Sequence, residues 1–123
     1  MTLTWTSLIL LYYTKKTWVK MMINVTEIDF QTIVLRSALP VLVEFTSQTC
    51  TPCRVMIPVM EQIAAEYADE ILVCQIDVNI APAIADKYKI NMLPTVILFD
   101  NGNVKNILTG VQSKTKIQSV LNE

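Results

Sequence analysis

Two cysteines separated by two residues, Cys50 and Cys53, are the groups in this sequence best suited to chemistry. A thiol pair at this spacing serves either as a reversible dithiol–disulfide couple or as part of a metal site. The apolar run Val41–Phe45 precedes the pair, and the stretch Arg54–Ala68, which reads as a helix, follows it. The cysteines therefore lie where a buried strand gives way to a helix, and this position alone leaves redox and metal chemistry open.

The rest of the composition weakens the metal interpretation. The chain of 123 residues contains no histidine, which removes most zinc and haem sites and Cys-His nucleophilic catalysis. A zinc site built from Cys50, Cys53 and Cys74 would still need a fourth ligand. We interpret Cys74, in the middle of an apolar run, as a buried and unreactive core residue. We expect neither a metal nor an organic cofactor.

Charge and cysteine usage restrict the partners and the compartment. The net charge is −1, and the chain carries no basic cluster of the kind that binds nucleic acid, so none is expected as a partner. Three cysteines are too few, and odd in number, for a secreted disulfide scaffold. A reducing compartment is favoured.

The first 21 residues differ in composition from the remainder. Their apolar run, Leu8–Tyr13 with Trp5 nearby, is shorter than the ~20 residues that a membrane-spanning helix needs. Lys15 and Lys16 follow that run, whereas a secretory signal carries its positive charge ahead of it. We expect residues 1–21 to be an extension, either an extra helix or an upstream translated segment. Residues 22–123 are expected to form the domain, with no membrane partner.

Strands and helices alternate through residues 22–123. The predicted strands are Met22–Val25, Val41–Thr46, Ile71–Val78, Thr95–Phe99 and Val104–Leu108, and the predicted helices begin at Thr26, Arg54, Pro82 and Ser113. The order βαβαβα followed by ββα predicts an α/β fold with a mixed sheet of about five strands. Asn101-Gly102 is the turn signal between the last two strands.

Glu44 is the unusual residue of the strand Val41–Thr46. Apolar residues occupy both faces of this strand, which predicts that the strand is covered on both sides, as in parallel sheets. An ionised carboxylate in such a place is costly, so the pKa of Glu44 is expected to be raised. The alternative is an edge strand, or a Glu44 side chain that leans into solvent.

Several motifs then occur together at the spacing of one family. They are Val41–Phe45, Cys50-Thr51-Pro52-Cys53, Pro58, Leu93-Pro94-Thr95, the Asn101-Gly102 turn and Gly110. Residues 22 to 121 resemble a thioredoxin. The resemblance implies a three-layer α/β/α sandwich and a monomeric oxidoreductase that reduces protein disulfides. It also implies a separate thioredoxin reductase as the electron donor and a place in the cytoplasm or an organelle stroma.

The resemblance also implies roles for individual residues. Cys50 would be the nucleophile, its thiolate favoured by the N-terminal end of the helix, and Cys53 the resolving thiol. Glu44 would accept the proton of Cys53, since no histidine is available. Pro94 would be cis and face the cysteines across a substrate groove. The residues expected to contact substrate there are Thr49, Thr51, Pro52 and Leu93.

Five positions depart from the usual family pattern, the first being Glu44, which stands where thioredoxins have a buried Asp. Thr46 and Thr49 stand where thioredoxins usually have Trp, Thr51 stands in place of Gly, and Gln75 in place of a Lys near the buried acid. These changes keep two other interpretations open: a binding or assembly module with the same fold, and a redox sensor that reports to a partner. The absence of an export signal favours a reducing role over an oxidising one.

Overall fold

A mixed five-stranded sheet forms the centre of the structure, a computed structural model that describes residues 4–7 and 22–123. The strands are β1 (Ile23–Asn24), β2 (Val41–Thr46), β3 (Leu72–Asp77), β4 (Thr95–Asp100) and β5 (Asn103–Thr109). Their order across the sheet is β1-β3-β2-β4-β5. β3 pairs in parallel with β1 and β2, whereas β4 is antiparallel to β2 and β5. The α/β class with a mixed sheet is confirmed.

Within residues 22–123, four helices cover the two faces of this sheet. They are α1 (Gln31–Leu35, with π-type hydrogen bonding), α2 (Thr51–Glu66), α3 (Pro82–Lys87) and α4 (Lys114–Leu121). Alternate side chains of β2 point to opposite faces. Val43 and Phe45 pack with the residues of α1 and α3, and Leu42 packs with those of α2 and α4. Two hydrophobic cores on either side of one sheet make the three-layer sandwich.

The start of the first helix differs from its prediction. The sequence predicts a helix capped by Thr26, but α1 begins at Gln31, and its N-cap residue Phe30 makes no side-chain capping hydrogen bond. The carboxylate of Asp29 accepts hydrogen bonds from the N–H of Thr26, at 2.7 Å, and from its hydroxyl, at 3.2 Å. Thr26 is therefore used in a turn ahead of the helix, because Asp29 competes for its polar groups.

The hairpin between β4 and β5 turns at Asn101-Gly102, as the sequence predicts. Both residues have positive φ, 52° and 78°, which a two-residue turn of this kind requires. A Cβ at Gly102 would lie 2.9 Å from the backbone oxygen of Leu35. Gly110, which follows β5 with φ 82°, has only the Met92 sulfur within 4.0 Å of the same position.

These two glycines allow a matched comparison. Gly102→Ala and Gly110→Ala both force alanine into the left-handed region, at about 1–2 kcal/mol each. Only Gly102→Ala also pushes a methyl group against the backbone of α1, so we expect it to lower the free energy of unfolding by roughly 1 kcal/mol more. Urea unfolding of the two variants measures the difference. Equal losses would show that Leu35 moves aside without cost.

The predictions for the N-terminal extension fall largely on residues 1–3 and 8–21, which lie outside the described residues. The division at residue 21 or 22 stays a prediction. In the part of the chain that the structure describes, no helix has the length and apolar character needed to cross a bilayer.

Candidate active site

Cys50 is the N-cap residue of α2, and its backbone is extended, with φ −85° and ψ 103°. Its Sγ accepts a hydrogen bond from the N–H of Cys53 at 3.2 Å, which satisfies one of the unpaired donors at the helix start. Pro52 fits the same turn because its fixed φ is helical and it has no N–H to satisfy. A thiolate at Cys50 would therefore be stabilised by the helix N-terminus.

The two cysteines are joined in the structure as a disulfide, with their Cα atoms 5.3 Å apart. Their exposure differs: Cys50 is half-buried, whereas Cys53 is 1% exposed. An incoming molecule can therefore reach Cys50, while Cys53 is accessible chiefly to the sulfur of Cys50. This asymmetry is what a nucleophile and a resolving thiol require.

The loop ahead of Cys50 is polar and held by its own hydrogen bonds. The N–H of Cys50 donates to the carbonyl oxygen of Ser47 at 3.3 Å. The Arg54 guanidinium reaches back from α2 and donates to the carbonyl oxygen of Gln48 at 3.2 Å. The hydroxyls of Ser47 and Thr49 lie 3.4 Å apart. Arg54 thus links the first turn of the helix to the loop that positions Cys50.

Pro94 lies at the same end of the sheet as the cysteines. β2 and β4 are antiparallel, with Phe45 opposite Thr95. The chain leaving β2 and the chain entering β4 therefore meet at the edge of the sheet that is formed by the strand ends. The Leu93–Pro94 peptide bond is cis. The Pro94 carbonyl accepts a hydrogen bond from the N–H of Gly110 at 2.8 Å, which ties this segment to the chain after β5.

The predicted contact residues around the cysteines differ in exposure. Thr49, Thr51 and Pro52 are exposed, and Leu93 is half-buried. They belong to two segments, the Cys50 loop and the entrance of β4, which the sheet topology brings to the same edge. Their part in substrate binding stays a prediction.

Sequence reasoning missed two apolar residues at this edge, Met92 and Val111. Their side chains are 53% and 51% exposed. Met92 directly precedes Leu93, and Val111 directly follows Gly110. A single apolar residue in a loop carries no pattern that could have identified it. The chain after Val111 also contacts α2, because the N–H of Gln112 donates to the sulfur of Met56 at 3.3 Å.

Glu44 is fully buried on the interior strand β2, between β3 and β4. The alternatives of an edge strand or a solvent-directed side chain are therefore wrong. Neither carboxylate oxygen has a hydrogen-bond partner among the described residues. Burial raises the pKa of Glu44 from 4.5 to about 7, because an unpaired carboxylate is poorly solvated there. Its side chain lies on the α2 face of the sheet, the same face as Leu42.

Cys74 is the free cysteine of the described residues, and it is buried on β3. Burial raises the pKa of its thiol to about 12, with the charge of Asp29 as a further cause. Its thiolate is therefore negligible near neutral pH. Among residues 4–7 and 22–123, no three Cys, Asp or Glu side chains are grouped so as to hold a metal ion.

Comparison with known proteins places residues 21–123 within the family model described as Thioredoxin. A thioredoxin of Rickettsia typhi is 35% identical over 100 residues, which cover 81% of this chain and 95% of that protein. A thioredoxin of Rickettsia bellii is 37% identical over 99 residues, covering 80% and 94% of the two chains. A chloroplastic thioredoxin of the M5 type from Oryza sativa subsp. japonica is 37% identical over 97 residues, covering 79% and 56%.

Proposed function

Because the chain belongs to the thioredoxin family of thiol–disulfide oxidoreductases and carries a redox-active Cys50–Cys53 pair, we propose that it reduces disulfide bonds in other proteins. The observation that supports dithiol–disulfide exchange at this pair most directly is the unequal exposure of the two sulfurs at the start of α2. We further propose a thioredoxin reductase as its electron donor, a monomeric state, and a location in the cytoplasm or an organelle stroma.

The reaction uses the two thiols in turn. The Cys50 thiolate attacks one sulfur of the substrate disulfide, forms a mixed disulfide with it, and releases the other sulfur as a thiolate that takes up a proton. The Cys53 thiolate then attacks Sγ of Cys50, forming the Cys50–Cys53 disulfide and releasing the second substrate thiolate. One electron pair passes to the substrate, and the reductase restores the dithiol. The short separation of the two cysteines keeps the second step intramolecular and therefore fast.

The substrate segment is proposed to lie across the edge that carries Leu93 and Pro94. The backbone of Leu93, just ahead of β4, would form strand-like hydrogen bonds with an extended chain. Thr49, Thr51 and Pro52 would contact it from the other side. The N–H of Gly110 donates a hydrogen bond to the Pro94 carbonyl and holds Pro94 in place, so this side of the proposed substrate groove is rigid before a substrate binds.

Glu44 is proposed as the proton acceptor of Cys53. Both side chains belong to the layer between the sheet and α2, where Cys53 is buried and Glu44 is the titratable group of β2. A carboxyl group with a pKa of about 7 is half-ionised near neutral pH and can both accept and return a proton. An ordinary exposed glutamate would be ionised but too weakly basic to take a thiol proton efficiently.

Replacing Glu44 with glutamine is expected to change the pH dependence of the second step. In the wild-type protein, the rate of mixed-disulfide resolution should rise as the pH passes through about 7, because Glu44 becomes ionised there. Glu44→Gln should lower this rate by about tenfold or more above that pH. Stopped-flow single-turnover measurements from about pH 6 to 9 give the profile. Glu61→Gln, on the exposed side of α2, is the control, and an unchanged Glu44→Gln profile would rule out the base role.

The proposed function is tested by insulin reduction with dithiothreitol as electron donor. We expect the protein to accelerate the precipitation of insulin chains well beyond the rate with dithiothreitol alone. A rate equal to that background, from protein shown by circular dichroism to be folded, would contradict the reductase proposal and favour a binding module. Equilibration with glutathione buffers then gives the redox potential, for which about 30 mV corresponds to a tenfold change in equilibrium constant.

A further inference from the structure

A cavity of about 450 Å³ opens beside the loop that carries Cys50. Its walls come from the end of β1, the ends of β2 and β3, the loop after β2, and the first two turns of α2. Its lining residues include Thr46, Gln48, Arg54, Gln75 and Asp77. Cavities of about 300–1,000 Å³ are typical of small-molecule sites. This one is separate from the edge that carries Pro94, which is not among its lining residues.

Most of the exposed lining surface is apolar, and hydrogen-bonding side chains are distributed within it. Amide groups of Asn24, Gln48 and Gln75, and hydroxyls of Thr26, Thr46 and Ser47, supply both donors and acceptors. Val25, Ile57 and Ile80 add apolar surface. A cavity of this composition suits a ligand that combines polar groups with an aliphatic part.

Two lining residues carry opposite charges. Arg54 uses one N–H of its guanidinium for the Gln48 carbonyl, at 3.2 Å, and retains other donors in the same plane. Asp77 accepts a hydrogen bond on Oδ1 from the N–H of Asn79, at 2.8 Å, which fixes the orientation of its carboxylate. Arg54 is therefore suited to a ligand carboxylate and Asp77 to a ligand ammonium group.

We propose that this cavity binds the zwitterionic α-amino acid group of low-molecular-weight disulfides, such as oxidised glutathione or cystine, and presents their disulfide bond to Cys50. This inference rests on the proposed function and names an additional substrate class for the same thiol pair. The placement supports it, because Gln48 in the cavity wall is two residues from Cys50, a Cα separation of at most about 7.6 Å.

The chemistry is the same exchange that acts on protein substrates. The Cys50 thiolate attacks one sulfur of the small disulfide and releases one thiolate. The Cys53 thiolate then attacks Sγ of Cys50 and releases the second, while the pair becomes a disulfide. One electron pair moves from the protein dithiol to the small molecule, and the reductase proposed above restores the dithiol.

The test compares charged and uncharged small disulfides. We measure the rate at which the reduced protein is oxidised by oxidised glutathione, by cystine and by bis(2-hydroxyethyl) disulfide, which has no charged group. The ratio of the charged to the uncharged rate cancels any change in the reactivity of Cys50 itself. Arg54→Gln and Asp77→Asn should each lower that ratio by about fivefold to tenfold. Asp77→Asn keeps the Oδ1 acceptor for Asn79, so the turn after β3 is retained.

Charge-matched controls lie elsewhere on the surface. Lys105→Gln and Asp86→Asn remove the same charges from exposed positions on β5 and α3 that do not line the cavity. We expect both to keep the wild-type ratio. Equal losses in these controls would mean that long-range charge, and not the cavity, sets the preference. An unchanged ratio in both cavity variants would overturn the inference.

A binding measurement separates the cavity from the thiol chemistry. In the Cys50→Ser, Cys53→Ser double variant, titration with S-methylglutathione should shift the amide resonances of Thr46, Gln48 and Gln75, with saturation. Arg54→Gln should weaken this binding. Shifts confined to other residues would overturn the inference about the cavity, and the result of the insulin assay would still stand. If the wild-type protein fails to reduce insulin but the double variant binds S-methylglutathione, only the proposed function is overturned.

The small disulfides also separate two sources of the same chemical group. If the ratio for cystine falls in the cavity variants as far as that for oxidised glutathione, the α-amino acid group is what the cavity binds. If only the ratio for oxidised glutathione falls, the cavity recognises another part of the tripeptide, which contradicts binding of the α-amino acid group. Unchanged ratios for both disulfides in the cavity variants also contradict it.

Discussion

Replacing Cys50 with serine is expected to reduce insulin reduction to the dithiothreitol background, a loss on the order of 1000-fold or more. The hydroxyl of serine has nearly the size of the thiol but is a far weaker nucleophile near neutral pH, even at the helix N-terminus that favours the Cys50 thiolate. The fold should be retained because serine is a good N-cap and can accept the hydrogen bond from the Cys53 N–H.

Variants of the other two cysteines, Cys53 and Cys74, are compared in the same experiment. Cys53→Ser should stop turnover at the mixed disulfide, which non-reducing electrophoresis detects as a covalent complex through Cys50. Cys74→Ala should keep turnover, since this thiol is buried and its pKa is about 12. Substantial activity in Cys50→Ser, or loss of activity in a folded Cys74→Ala, would contradict the assignment of nucleophile.

Replacing Glu44 with leucine is expected to stabilise the protein at alkaline pH. The pKa of Glu44 is about 7 in the folded protein and near 4.5 when exposed, so the folded state holds the proton more tightly. This contribution to stability is fully present below about pH 4.5 and is lost as the pH rises through about 7. The loss amounts to about 3 kcal/mol. Leucine has no charge to bury, so Glu44→Leu should be more stable by at least a similar amount at about pH 8.

Urea unfolding of the oxidised proteins at about pH 5 and about pH 8 measures this effect, because the linkage predicts a larger gain at the higher pH. Glu61→Leu, a change at an exposed glutamate of α2, should show no such pH-dependent gain. An equal gain from Glu44→Leu at both pH values would mean that Glu44 titrates normally. Retention of a destabilising carboxyl in the core is consistent with a functional use, since activity and stability often compete at one residue.

The cysteine pair, its helix, the sheet and the burial of Glu44 were all predictable, because each rests on a local pattern. Two-sided apolarity identified β2 as an interior strand, and the Asn101-Gly102 signal located the hairpin. Pairs of residues that meet only in the folded chain carry no such pattern. Gly110 bonding to Pro94 and Gln112 bonding to Met56 depend on where β5 ends relative to β4 and α2.

The boundary of α1 and the cavity beside Cys50 escaped prediction for a related reason. Thr26 has the side chain of an N-cap, and only the position of Asp29 in space shows that its polar groups are already engaged. The cavity is lined by residues of separate strands, Thr46 on β2 and Gln75 on β3 among them. In sequence these residues are ordinary polar positions.

The hydrogen bond from the Gln112 N–H to the sulfur of Met56 bears on how this site withstands oxidants. Met56 is fully buried on the core-facing side of α2, and its sulfur accepts a backbone hydrogen bond, so peroxide has little access to it. Met92 is 53% exposed at the edge that carries Pro94. Of these two methionines, oxidative damage falls first on Met92, where a sulfoxide adds polarity to the surface and leaves the packing beneath α2 intact.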